Sequence, residues 1–338
     1  MSSQKTQDRV AIVTGATVST YIRPFPNTTP PPSYPPFCTI HRSATHHATP
    51  RLTIPHQSGI GVDIARDLLS TGYKVALVGR RAELGTLVAT SLDPTGARAR
   101  FFEADVASYA SQASMFRAVH ALWGRIDVLC ANAGITDKSS VYQLTAEHGG
   151  ARASADDVPP APDLEATDVC YKGVVYGTML AVHFMRFNSP TPGGKVIVTG
   201  SVGAFHPHRV VPEYCGAKAA VVQFVRGVAP VLKVKDGVTI NVVHPGLVQT
   251  PIIPQEMIKA VPEGCPTPVE TIIKGYRVYL EDDTGRTGEQ MEASGTNLVY
   301  YDPPAYANGI ATEGATTVWE PWFIMGHGVE TGLPNTYK

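Results

Sequence analysis

The sequence has little net charge, few cysteines and no long hydrophobic run. Its 28 Lys and Arg residues nearly balance its 29 Asp and Glu residues, which leaves a net charge of −1 over 338 residues. So neutral a balance argues against nucleic acid or an anionic membrane surface as a partner. No stretch approaches the roughly 20 apolar residues that span a bilayer. The first residues, MSSQKTQDRV, lack the apolar core of a signal peptide. We therefore expect a cytoplasmic protein.

The five cysteines are scattered and contain no C-x-x-C pair. This distribution argues against a disulfide framework or a zinc site, and we expect reduced cysteines packed as small apolar residues. The histidines show no metal-ligand spacing either, so no metal is expected. His206, His208 and His244 are assigned structural or substrate-contacting roles.

Short Val- and Ile-rich runs alternate along the chain with helical patterns. Most runs are apolar on both faces, as strands of a parallel sheet covered by helices on both sides must be. Between them, stretches such as VDIARDLLSTG (62–72) have helical apolar spacing, and Gly72 can end that helix. The alternation predicts an α/β fold: one doubly wound, Rossmann-type domain with a mostly parallel seven-stranded sheet flanked by helices. The predicted strands are 9–15, 74–80, 99–106, 127–134, 195–201, 239–246 and 289–295.

Three regions interrupt this pattern. Residues 18–57 contain nine prolines and no Gly, Asp or Glu, so they cannot form a helix or a central strand. Residues 136–163 form a polar connection, and residues 296–338 show no period. We therefore predict a Rossmann domain of residues 1–17 and 58–295, with 18–57 as an insert. The tail, 296–338, is expected to cover the substrate cleft, form a subunit contact or be partly disordered.

Without residues 18–57, the first predicted strand runs through a glycine-rich turn into the first helix. Gly15, Gly59 and Gly61 then supply a T-G-x-x-x-G-x-G spacing. Glycines let the backbone approach a pyrophosphate, and a helix N-terminus offers free N–H groups and partial positive charge. The turn predicts a dinucleotide site.

Further motifs follow later strands at their carboxyl ends. ANAG (131–134) follows the fourth strand, and HPG (244–246) ends the sixth. Ser201 closes the fifth strand, Tyr214 follows 13 residues later, and Lys218 comes four residues after that. A Tyr-x-x-x-Lys spacing places both side chains on one face of a helix, one turn apart.

In this order and at these strand ends, the motifs resemble those of the short-chain dehydrogenase/reductase family. The segment VYLEDDTGRTGEQMEAS (278–294) is also similar to hydroxyprostaglandin-dehydrogenase-like members, many of them fungal. The resemblance covers roughly residues 8–17 and 58–295. It implies catalytic roles for Ser201, Tyr214 and Lys218. It implies cofactor contacts from Thr14, Gly15, Ser58, Gly59, Ile60, Gly61, Arg80, Arg81, Asp105, Val106, Asn132, Ala133, Gly134, Tyr214, Lys218, Pro245, Gly246, Val248 and Thr250.

The residue types fit proton and hydride transfer. Tyr214 would exchange a proton with the substrate oxygen, and the charge of Lys218 would lower the pKa of Tyr214 from its free value near ~10. The resemblance also gives Lys218 the nicotinamide ribose hydroxyls to hold. Ser201 would donate a hydrogen bond to the substrate oxygen.

One position departs from the family pattern. Where relatives read D-V-N-x-x-G, this chain reads DVCYKG, so Cys170 replaces an Asn credited with holding a water chain to the catalytic Lys. A thiol is a poor hydrogen-bond partner. We expect a slower enzyme for this reason.

Cofactor choice is read from the end of the second strand, VGRR. Gly79 stands where NAD-preferring members place an acid, and Arg80 and Arg81 follow. A guanidinium binds phosphate well, so NADP(H) is expected over NAD(H). Alternatively, the two arginines merely start a solvated helix. The hydroxyprostaglandin-dehydrogenase-like members usually favour NAD.

The expected activity is interconversion of a ketone or aldehyde and a secondary alcohol on a small lipophilic metabolite, in secondary metabolism. Apolar segments 202–212 and 251–261 would flank the cleft. The alternatives are a catalytically weak dinucleotide-binding redox sensor or scaffold, and an NAD-dependent hydroxy-lipid dehydrogenase. The resemblance implies a homodimer or homotetramer.

The insert has two interpretations. Val18-Ser19 can be encoded GTG-AGT and Gln57 CAG, which match the ends of an intron, and the forty codons keep the reading frame. We hypothesise a translated, unspliced intron, because an insert between Thr17 and Ser58 would separate the glycines of the phosphate turn. The rival is a genuine disordered loop whose PPPSYPP segment docks a proline-reading partner.

Overall fold

The computed structural model describes residues 8–16, 59–142, 156, 158, 160–250, 253 and 255–334. Ser58 and the insert 18–57 lie outside the described residues. A single sheet with helices on both faces contains every strand found in this part of the chain. The predicted doubly wound α/β fold is confirmed.

The sheet has the strand order β3-β2-β1-β4-β5-β6-β7-β8. Neighbours from β3 to β7 pair in parallel, and β8 pairs antiparallel to β7. Strand order reverses between β1 and β4, and open α/β sheets bind ligands at the carboxyl ends of strands at such a point. The strands are β1 (Val10–Thr14), β2 (Lys74–Gly79), β3 (Ala99–Glu103), β4 (Val128–Ala131), β5 (Gly194–Thr199), β6 (Val238–Pro245), β7 (Gln290–Ser294) and β8 (Asn297–Tyr300).

An eighth strand distinguishes the sheet from the predicted seven. Gly295, with φ of +51°, helps to reverse the chain after β7, and Ser294 pairs with Asn297 across the turn. The two-residue Gly-Thr connection is a hairpin signal in the sequence. The predicted start of an irregular tail at residue 296 was therefore wrong.

The described helices begin with α1 (Ile60–Ser70), α2 (Ala82–Leu92) and α3 (Tyr109–Trp123). A continuous helical stretch follows, made of α4 (Glu165–Thr167), a π-helical turn (Asp168–Lys172) and α5 (Gly173–Met185). The others are α6 (Pro212–Asp236), α7 (Gln255–Ala260), α8 (Val269–Leu280), α9 (Ile310–Thr316) and α10 (Glu320–His327).

Two apolar clusters cover the two faces of the sheet. In β1, Val10 and Ile12 belong to one cluster, and Ala11 and Val13 to the other. Successive side chains of a strand point to opposite faces of the sheet, and both faces are covered here. The sequence of β1 is continuously apolar for this reason.

By length and composition alone, α6 could cross a membrane. The apolar runs of the sequence did not predict this. Val221, Val225 and Ala229 of α6 pack in the apolar cluster that contains Val10 and Ile12. Lys218 of the same helix is also buried. A core helix of the fold accounts for that composition.

Candidate active site

A cavity of about 750 Å³ opens at the carboxyl ends of the strands, around the reversal in strand order. Most of the predicted site residues line it together. They are Gly15, Gly59, Ile60, Arg80, Arg81, Asp105, Val106, Asn132, Ala133, Gly134, Ser201, Tyr214, Lys218, Pro245, Gly246, Val248 and Thr250. The described residues of the tail are not among the lining residues, so they do not cover this cavity.

Gly15 and Gly61 bring the two halves of the glycine-rich turn into contact. Gly15 has φ of +69°, and a Cβ on it would lie 2.8 Å from Cα of Ala133. A Cβ on Gly61 would lie 2.8 Å from the carbonyl oxygen of Gly15. The two glycines therefore meet although residues 18–57 lie between them in the chain. The origin of that segment as an unspliced intron stays a prediction.

Gly59 leaves room for a ligand. It is the N-cap of α1, and a Cβ added to it would meet nothing within 4 Å. The open space lies beside the free N–H groups of a helix N-terminus, where a pyrophosphate is stabilised. The residues of this turn therefore fit a dinucleotide.

Hydrogen bonds of Thr14 and Asn132 hold the glycine-rich turn in place. Oγ1 of Thr14 accepts hydrogen bonds from the backbone N–H groups of Asn132 at 3.0 Å and Ala133 at 3.1 Å. Nδ2 of Asn132 donates to the Thr14 carbonyl at 3.1 Å, and its Oδ1 accepts from Thr199 at 2.9 Å. Thr14 and Gly61 do not line the large cavity. They shape the cofactor turn by packing and hydrogen bonding. Their cofactor contacts stay predictions.

Ser201 is held by a buried histidine that the sequence left without a specific role. The backbone N–H of Ser201 donates to Nδ1 of His244 at 3.1 Å, and Nε2 of His244 lies 2.9 Å from Oε1 of Gln290. Burial lowers the pKa of His244 to about 4, so the ring is neutral at pH 7. A Cβ on Gly200 would lie 2.3 Å from Nδ1 of His244, so this contact requires glycine.

The hydroxyl of Ser201 keeps its hydrogen free for one further hydrogen bond. Its Oγ accepts a hydrogen bond from the backbone N–H of Gly203 at 3.0 Å. The hydroxyl hydrogen remains available for Tyr214 or a substrate oxygen, and its hydrogen bond to Tyr214 favours the phenolate.

Tyr214 and Lys218 lie one turn apart on α6, as predicted. Nζ of Lys218 is 5.7 Å from the ring centroid of Tyr214 and donates to the carbonyl of Thr199 at 2.7 Å. Burial raises the pKa of Tyr214 and lowers that of Lys218. Removal from water disfavours the charged form of each group, so the net shift of the Tyr214 pKa is upward instead of the expected lowering. The phenol is protonated at neutral pH.

Asp137 fixes the first turn of α6, a role that no sequence pattern predicted. Its carboxylate accepts the backbone N–H groups of Glu213 at 2.9 Å and Tyr214 at 2.8 Å. Pro212 has no N–H, and the N–H of Cys215 donates to the Val211 carbonyl at 3.1 Å. Every N–H at this helix start is thereby accounted for, and a negative charge lies where the helix dipole favours it.

Cys170 lies in the π-helical turn, fully buried behind the catalytic residues. Its thiol donates to the carbonyl of Ile135 at 3.4 Å. A Cβ on Gly134 would be 3.6 Å from Sγ of Cys170 and 3.8 Å from Nζ of Lys218, so thiol and ammonium approach the same point. Burial raises the pKa of Cys170, which keeps the thiol neutral.

Arg80 and Arg81 have different surroundings at the far end of the cavity. Nη1 of Arg80 donates to Oε1 of Glu165 at 2.7 Å, and Lys138 pairs with the other carboxylate oxygen of Glu165. Nη2 of Arg81 is buried and has no hydrogen-bond partner in the described part of the chain. A buried donor without a partner is costly, so this atom fits an anionic ligand group.

The opposite end of the cavity is mainly apolar and close to Ser201 and Tyr214. His206 and His208 lie on its wall, as expected for substrate contacts. The sequence predicted that segments 202–212 and 251–261 flank the substrate cleft, but it did not show which of their residues face the cavity. Its apolar lining comprises Ile135, Val202, Val210, Val211, Leu247, Ile253 and Val261.

Together the turn, the cavity and the Ser201, Tyr214 and Lys218 set define a dinucleotide-dependent oxidoreductase. The short chain dehydrogenase family model matches residues 54–259, beginning just before the second half of the glycine-rich turn. The chain belongs to this family, whose members bind a nicotinamide dinucleotide.

Two curated relatives come from Penicillium rubens. The chain is 56% identical to the short-chain dehydrogenase/reductase prx6 over 83% of this chain and 92% of that protein. It is 31% identical to the short-chain dehydrogenase/reductase prx7 over 64% of this chain and 74% of that protein. The rat 15-hydroxyprostaglandin dehydrogenase [NAD(+)] is 28% identical over 75% of this chain and 80% of its own length. The predicted likeness to that group is confirmed.

Proposed function

We propose that this protein is an NADP(H)-dependent oxidoreductase that interconverts a ketone or aldehyde and a secondary alcohol on a small lipophilic metabolite. One observation carries the proposal: a single cavity is lined both by the Ser201, Tyr214 and Lys218 set with apolar side chains and by Arg81, whose buried Nη2 has no hydrogen-bond partner in the described part of the chain. Arg81 follows β2 and Ser201 follows β5, with β1 and β4 between them in the sheet, so a dinucleotide lying across the strand ends would place its ribose phosphate near Arg81.

The chain's own residues supply the proton and the polarity. A nicotinamide dinucleotide held by the glycine-rich turn and Lys218 would supply the hydride for reduction, or accept it in oxidation. Tyr214 is protonated at neutral pH, so in reduction it gives its proton to the carbonyl oxygen. Ser201 donates a hydrogen bond to that oxygen as negative charge develops there.

Lys218 positions the reacting groups. One of its three N–H bonds is used on the Thr199 carbonyl, and the other two would hold ribose hydroxyls beside Tyr214. Cys170, next to this ammonium, offers only a weak donor where a water chain would supply protons. Slow proton supply supports a slow enzyme, and it also favours the second candidate, a catalytically weak dinucleotide-binding sensor or scaffold.

Replacement of Tyr214 by phenylalanine tests the chemistry. Loss of a general acid is expected to reduce turnover by about 10²–10⁴-fold, a much larger effect than the loss of one hydroxyl contact on cofactor affinity. The matched control is Tyr306→Phe, which alters an exposed tyrosine in the tail and should change neither quantity. Equal activity of Tyr214→Phe and wild type towards a panel of lipophilic ketones and alcohols would favour the sensor or scaffold.

Replacement of Arg81 tests the cofactor assignment. Arg81→Gln should weaken NADPH binding and leave NADH binding nearly unchanged, since only NADPH carries a 2′-phosphate. Equal losses for both cofactors would refute the assignment. The homo-oligomer, the cytoplasmic location and the place in secondary metabolism stay predictions.

A further inference from the structure

Glu165 holds the first of the two arginines at the 2′-phosphate end of the cavity. It begins α4, 85 residues after Arg80 in the chain, yet its Oε1 accepts from Nη1 of Arg80 at 2.7 Å. Oε2 of the same carboxylate pairs with Lys138. The side chain of Glu165 is 23% exposed, compared with 53% for Arg80, so the carboxylate is the more enclosed partner.

From this contact we infer that Glu165 is a specificity-determining residue, which restrains the preference for a 2′-phosphate by engaging Arg80. The inference deepens the proposed function and rests on it. A phosphate that binds Arg80 must share the guanidinium with a carboxylate already in place, or displace it. A 2′-hydroxyl, which carries no charge, meets no such competition.

The charges lead to the same expectation. Glu165 is the carboxylate that pairs with both Arg80 and Lys138. A phosphate monoester carries nearly −2 at neutral pH. Removal of the Glu165 charge would leave both cations without this partner, and they would attract the phosphate more strongly.

Glu165→Gln keeps the size of the side chain and removes its charge. Because an exposed pair is screened by solvent, we expect the ratio of NADH to NADPH dissociation constants to rise by about three- to tenfold. The matched control is Glu83→Gln, which removes one negative charge from the first turn of α2, where Glu83 is exposed and makes no ion pair among the described residues. Both dissociation constants are measured by the fluorescence of the bound reduced cofactor, and thermal unfolding shows whether each variant is folded.

A double-mutant cycle with Arg80→Gln distinguishes competition for Arg80 from a general charge effect. Competition predicts that Glu165→Gln raises the ratio in the wild-type background and has a much smaller effect when Arg80 is absent. An unchanged or lowered ratio in Glu165→Gln would overturn the inference, and so would an equal gain in both backgrounds. If wild type binds NADH more tightly than NADPH, the proposed function fails, and the cycle still decides the role of Glu165.

Discussion

Asp137→Ala removes the acceptor of two backbone N–H groups at the start of the helix that carries Tyr214. The N–H groups of Glu213 and Tyr214 would lose their partners, while Pro212 and Cys215 would be unaffected. Hydrogen bonds to a charged group contribute about 1.5–3 kcal/mol each, and loss of an ordinary N-cap costs about 1 kcal/mol. Water can satisfy part of the lost bonding, so we expect the free energy of unfolding to fall by about 2–4 kcal/mol.

The same substitution should reduce turnover. Tyr214 is the second residue after Pro212, so fraying of this turn displaces the phenol from Ser201 and the substrate oxygen. Misplacement of a catalytic group by about 1 Å can cost about 10²-fold in rate. Asp137→Asn retains one acceptor oxygen, and we expect intermediate losses for it.

Urea unfolding followed by circular dichroism measures the first effect, and steady-state turnover at saturating cofactor measures the second. Ser108→Ala is the matched control: Ser108 caps α3 with a single bond of 3.3 Å from the N–H of Ser111. It should lose about 0.5–1 kcal/mol of stability and no turnover. If Asp137→Ala costs no more stability than Ser108→Ala, or keeps wild-type turnover, the reasoning is refuted.

Three further variants test other parts of the chain. His244 binds its proton with a pKa of about 4 when folded and 6.5 when unfolded, so acidification through that range favours unfolding by up to about 3 kcal/mol. His244→Gln should flatten this part of the stability curve, and an unchanged slope would contradict the assignment. Cys170→Asn should raise turnover by restoring an amide beside Lys218; no gain would argue against the relay explanation. Deletion of residues 18–57 should preserve NADPH affinity, because Gly15 and Gly61 already meet in the full chain. A loss of affinity on deletion would show that the segment contributes to binding.

Strand positions were predictable because most of the seven parallel strands are short, apolar runs bounded by turn residues. The site residues followed from the same strands, since parallel strands bring their carboxyl ends to one edge. β8 was missed although Gly295-Thr296 carries a hairpin signal, because the strand is short and three of its four residues are exposed. Asp137 had no local signal: a carboxylate in a polar connection looks the same whether or not it caps a helix 75 residues away.

The pKa of Tyr214 shows most directly what the sequence alone could not predict. Residue types alone predict that a lysine one turn away lowers it, whereas burial in the folded chain raises it. Arg80 likewise reads as a free phosphate ligand until folding brings Glu165 to it.

Periodicity, turn chemistry and motif spacing are properties of neighbouring residues, so the chain order alone predicted the sheet, the glycine-rich turn and the Ser201, Tyr214 and Lys218 set. Proximity between distant segments and the extent of burial exist only after folding. The tertiary structure therefore decided the direction of the Tyr214 pKa shift, the anchoring of Ser201 by His244, the cap from Asp137 and the pairing of Arg80 with Glu165. Each of these depends on Coulomb and desolvation energies that change over a few ångströms.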